Sequence, residues 1–117
     1  MIKTILLIAL GIFFILNGLN HFLNTEFYKE YAAKKGLISP KIMVKISGVL
    51  LIFGGLSLAT GFFRLYGIIG LSIFLIVASL TIHQFWQESS KEKKLIEAMH
   101  FSKNIAILIE LIYIAYT

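Results

Sequence analysis

The sequence has no cysteine, no aspartate and a single proline. Without a thiol there can be no disulfide, no thiol redox chemistry, no iron–sulfur ligation and no thiolate zinc site. Charge is scarce too: 15% of the residues are charged, against about 25% in soluble domains. Apolar residues fill that place. Of 117 residues 58% are hydrophobic, and the mean hydropathy is +0.87. So short a chain has too much surface for its volume to hide that fraction from water. A single membrane-embedded domain, residues 1–117, is expected.

Four stretches meet the length of about 20 apolar residues that a hydrocarbon crossing needs: residues 4–23, 40–62, 65–86 and 90–117. Only helices pair every backbone donor and acceptor within such a stretch. The expected fold class is therefore all-α: an integral membrane, up-down-up-down four-helix bundle. A short amphipathic interfacial helix is expected between helices 1 and 2. There Phe27, Tyr28, Tyr31 and Ala32 share one stripe, and Glu26, Lys29, Glu30 and Lys34 the other. Gly36 ends it, Ser39 caps helix 2 with Pro40 at its first position, and a tight turn near Gly61–Arg64 joins helices 2 and 3. Ser89-Ser90-Lys91-Glu92 reads as a capping box, so helix 4 starts before it enters the membrane. The opening, Lys3 followed by an apolar run, has the look of a signal peptide. No small-x-small cleavage site follows it, so an uncleaved first helix is expected.

The net charge of +5 points to topology and lipid, with no nucleic-acid partner expected. Nine basic residues, Lys29, Lys34, Lys35, Lys41, Lys45, Lys91, Lys93, Lys94 and Lys103, flank two loops, and only Lys3 and Arg64 lie on the other side. The positive-inside rule then places loops 24–39 and 87–100 in the cytoplasm and both termini outside, in a bacterial-type inner membrane. The partners expected are the bilayer and either other membrane proteins or a second copy.

Polar residues inside the apolar stretches are the candidates for function. Asn17, Asn20, His21 and Asn24 are spaced to share one face of helix 1. With His83, Gln84, His100 and Asn104 they suggest a polar pocket at the loop-side end; interhelical hydrogen bonding at a wet boundary is the alternative. Neither a paired-histidine spacing nor an adjacent carboxylate second shell suggests a metal. Glu110 is an intramembrane carboxyl, about 14 Å along the axis from Phe101. It continues the stripe Ala98, Ser102, Ala106, and small residues mark close helix packing. Burial against another helix, in this chain or in a partner, is the expectation, as proton-handling group or as packing glue. Gly54, Gly55, Ala59 and Gly61 form small-residue helix-packing positions in helix 2.

The order of these parts resembles the DoxX family of small four-helix membrane proteins. The resemblance rests on Gly18-Leu-Asn-His-Phe22, on Gly54-Gly55 with Gly61, and on Glu97-Ala-Met-His-Phe-Ser-Lys-Asn-Ile-Ala-Ile107, and it is read over essentially the whole chain. Family members are linked to quinone-coupled oxidation, to membrane oxidoreductase complexes and to accessory roles; with the small size of the chain and Glu110 weighed beside that resemblance, three roles are open. The first is an accessory or interaction subunit of a larger membrane complex without autonomous catalysis or resident cofactor. The second is a quinone- or lipid-binding component of a membrane oxidoreductase system. The third is a small transporter using Glu110.

Overall fold

The computed structural model describes residues 1–36 and 38–116. Every regular element among them is helical: α1 (Ile2–Leu23), α2 (Thr25–Lys34), α3 (Pro40–Thr60), α4 (Arg64–Thr81), a 3-10 turn (Phe85–Gln87) and α5 (Lys91–Ala115). Four stretches are long and apolar enough to cross a membrane: α1, α3, α4 with the turn after it, and α5. The helix expected over 65–86 stops at Thr81, where the backbone N–H groups of Ile82 and His83 both turn back to the Ala78 carbonyl. The expected end of helix 4 at Thr117 lies outside the described residues, as does Leu37. The chain divides into two compact units, Met1–Leu71 and Ser72–Thr117, and the division falls within α4.

In the first unit α1 and α3 meet at their backbones. A Cβ added to Gly11 would lie 2.5 Å from the Gly55 carbonyl oxygen, and one on Gly18 would lie 2.8 Å from that of Gly48. Residue 11 faces 55 and residue 18 faces 48, so the two helices run in opposite senses. The seam repeats every seven residues, which keeps one stripe of each helix against the other. Ala59 continues it beside Gly11. Gly54, one residue from Gly55, points about 100° away around the helix and abuts Leu71 of α4, while Ser57 abuts Gly67. The adjacent glycines thus serve two different neighbours of α3. Leu51, Leu58 and Leu71 complete this core, and α2 lies against α3 and buries Ala32.

Gly61 does not belong to the packing line on which it was expected. It follows the last turn of α3 with φ +85°, a left-handed conformation that glycine adopts without a Cβ clash. The Arg64 guanidinium reaches back across it to the Leu58 carbonyl at 3.3 Å, a cation on the negative end of α3. Gly36 ends α2 with φ +80° as expected. Two expected caps differ. Ser39 precedes Pro40 in a left-handed conformation and makes no side-chain cap. At α5 the capping residue is Ser90, whose hydroxyl accepts from the Lys93 N–H; Ser89 lies one residue too early.

The second unit contains no glycine. Its part of α4 buries Leu75 and Ser79, and α5 buries Glu97, Asn104 and Leu111, again seven apart. The start of this seam is polar, and that is where the candidate site lies.

Candidate functional site

Two side chains at the end of α4 bond back to its last turns. Gln84 donates to the Leu80 carbonyl, satisfying an acceptor that the last turn of α4 leaves unpaired, and Thr81 donates to the Val77 carbonyl one turn back. Released from the helix, His83 stands against α5, two turns past its start. Its Nδ1 lies 3.3 Å from a carboxylate oxygen of Glu97 and donates to it. The Glu97 side chain is 4% exposed and that of His83 17%. On its other side the His83 ring stacks on His100, with centroids 4.9 Å apart and planes 26° apart. Glu97, His100 and Asn104 follow at i, i+3 and i+7 and so share one face of α5.

An aromatic wall adjoins this cluster in sequence. Phe101 meets Phe85 edge-on at 5.4 Å and Trp86 at 5.8 Å, and Phe85 meets Trp86 at 5.2 Å. The 3-10 turn carries two of these rings and packs against α5. Trp86, the only tryptophan, is half-exposed.

The chemistry follows from the carboxylate. A buried Glu97 must be paired, and the bond from Nδ1–H fixes the neutral tautomer of His83. Nε2 then carries the lone pair, as in a carboxylate–imidazole dyad where the acid orients the base. Such a dyad accepts a proton from a hydroxyl or, once protonated, donates one to a carbonyl. Stacked imidazoles do not aim their lone pairs at one point. Among the described residues no group of three His, Cys, Asp or Glu is placed to hold a metal ion.

The other expected polar residues lie in the first unit. Asn17 donates to the Phe13 carbonyl, and His21 Nδ1 donates to the Asn17 carbonyl at 2.7 Å. Asn20 donates to the Tyr28 hydroxyl at 2.7 Å and accepts from Asn24, and the His21 ring stacks on Tyr28 at 4.2 Å. These bonds stay within α1 or run from it to α2. Of the eight residues expected in a polar pocket, the structure brings His83 and His100 together, buries Asn104 on the same helix face and turns Gln84 back onto α4. Asn17, Asn20, His21 and Asn24 form a separate local cluster.

Two participants were missed. Glu97 follows the lysine-rich start of α5 and reads as part of a solvated charge run; its signal is the Glu-x-x-His spacing to His100. Tyr28 was read only as an interfacial aromatic. Glu110 is not buried within the chain, which leaves the partner alternative of its expected burial. It lies on the exposed side of α5 with Ser102 and Ala106, while Ala98 is half-buried. The reason is angular, because Glu97, Asn104 and Leu111 occupy the opposite side of the helix.

The DoxX family model matches residues 2–84. The match ends just past His83, short of the α5 stretch on which the resemblance partly rested. No curated protein and no solved structure matches the chain.

Proposed function

This chain belongs to the DoxX family, and we propose that it serves as an accessory component of a larger membrane assembly, contributing a head-group-binding site. The ligand class is a quinone or a lipid whose carbonyl or hydroxyl oxygen meets His83. The observation that carries this reading is the Glu97–His83–His100 cluster beside the rings of Phe85, Trp86 and Phe101. His83 offers one nitrogen that accepts or donates a proton, and the rings offer flat apolar surface to a quinone ring or a lipid glycerol region. A quinone would supply the electron chemistry; the residues here bind it and hold a proton. No reaction is assigned to the chain alone.

Trp86 is a built-in reporter. In liposomes, a short-chain quinone should quench its emission saturably, and His83→Ala should weaken the binding about tenfold, the size of one lost hydrogen bond to a charged or polarised group. A lipid ligand predicts no saturable quenching by quinone but a defined lipid retained through purification and lost in His83→Ala. Neither result would leave the head-group reading without support.

The same reading sets the chain in the membrane as an up-down-up-down bundle with α2 on the cytoplasmic interface and both termini outside. The lysine asymmetry supports this. A reporter fused after Thr117 that is active only in the cytoplasm would overturn the orientation. Transport through Glu110 has less support, since that carboxyl lies on the exposed side of its helix.

A further inference from the structure

We propose that the exposed side of α5 receives a second copy of this chain in the same orientation, with the two Glu110 carboxyls sharing a proton across a two-fold axis. This goes beyond the head-group reading and uses none of its residues. Opposite the buried seam of α5 lie Met99, Ser102, Ala106, Glu110 and Tyr113, all exposed. Glu110 is inside a candidate span, about 8 Å along the axis from Ala115. It makes no hydrogen bond or ion pair among the described residues. A carboxylate left facing hydrocarbon costs several kcal/mol, and such groups turn to a partner or a water path.

The choice of a second copy follows from depth and charge. A two-fold axis along the membrane normal sets every residue opposite its own counterpart at the same depth. A protonated carboxyl both donates and accepts, so Glu110 complements itself and needs no cation. The nearest base on α5, Lys103, lies about 10 Å away along the axis, toward the end that carries Lys91, Lys93 and Lys94. Ser102 and Ala106 are small enough to let two α5 backbones approach closely beside the carboxyl pair.

The cysteine-free sequence makes the test direct. Single cysteines are placed at Ser102, Ala106, Leu108 and Ile112 in the otherwise native chain, reconstituted alone in liposomes and oxidised. Disulfides form only where Cα atoms come within about 7 Å, so dimer bands at 102 and 106 should exceed those at 108 and 112 about five-fold. Adding Glu110→Gln, which also donates and accepts, should keep the 106 band. Adding Glu110→Leu should lower it about five-fold, the effect of losing one interhelical hydrogen bond in a membrane. Equal bands at all four positions, no band at 102 or 106, or indifference to Glu110→Leu would overturn the proposal. So would a 106 cross-link that appears only in native membranes and at the mass of a different partner. Quenching of Trp86 measured on the same samples reports the head-group site separately, so either idea can fail alone.

Discussion

All nine glycines lie between residues 11 and 70, and none lies in residues 72–117. The two halves are accordingly held by different forces. In the first, α1 and α3 touch backbone to backbone along a seam of Gly11, Gly18, Gly48 and Gly55. Hydrocarbon offers no hydrophobic drive between helices, so close van der Waals contact is what holds such a pair. In the second, α5 buries Glu97 and Asn104, α4 buries Ser79, and rings do the packing. The first half trades side chains for proximity. The second keeps side chains that can hold a proton and accepts the cost of burying them. Scaffold and chemistry are thus divided along the chain.

The largest test of this contrast is Gly55→Leu. The atom opposite is a backbone carbonyl that cannot step aside, so stability should fall by about 3 kcal/mol, read from reversible unfolding in mixed detergent. A loss near zero would dissolve the contrast. In the other half, Glu97→Leu leaves the His83 Nδ1–H without its acceptor and should cost about 2 kcal/mol, whereas Glu97→Gln, which can still accept, should cost about half of that or less. Equal losses would mean that charge, and not the hydrogen bond, holds the cluster. Gly36→Ala separates conformation from contact: its φ is +80° and nothing lies within 4 Å of the added Cβ. Backbone strain alone predicts about 1 kcal/mol. The smallest effect is expected at Ser79, which is 1% exposed with a hydroxyl that has no hydrogen-bond partner among the described residues. Ser79→Ala should change stability by less than about 0.5 kcal/mol in either direction, and a larger loss would reveal a partner for that hydroxyl.

The helices themselves were legible because apolar length is a property of sequence alone. The stretches over 4–23 and 40–62 correspond to α1 and α3 within two residues at each end, and the amphipathic stripes over 26–35 to α2. Partner choice was not legible in the same way. Small residues marked Gly54 and Gly55 for packing, yet only three-dimensional contact shows that they face different helices, and Gly11 carried no motif of its own. Gly61 looked like its neighbours in the small-residue pattern because sequence does not report the sign of φ. At the candidate site, His83 and His100 were visible as polar interruptions of apolar runs. Glu97 was hidden by Lys91, Glu92, Lys93 and Lys94, since a charge beside other charges gives no hint that it is buried. For the face of α5 that carries Glu110, small residues mark a side suited to contact without saying whether that contact is internal or with a partner.

The seven-residue glycine seam also bears on biosynthesis. Its residues lie within 11–18 and 48–59, so it is complete in the growing chain while α5 is still untranslated. The α1–α3 pair therefore needs no residue of α5 in order to form. A chain truncated after residue 71 and inserted into membranes should already protect α1 and α3 from proteolysis, and Gly55→Leu should abolish that protection in the same truncated chain.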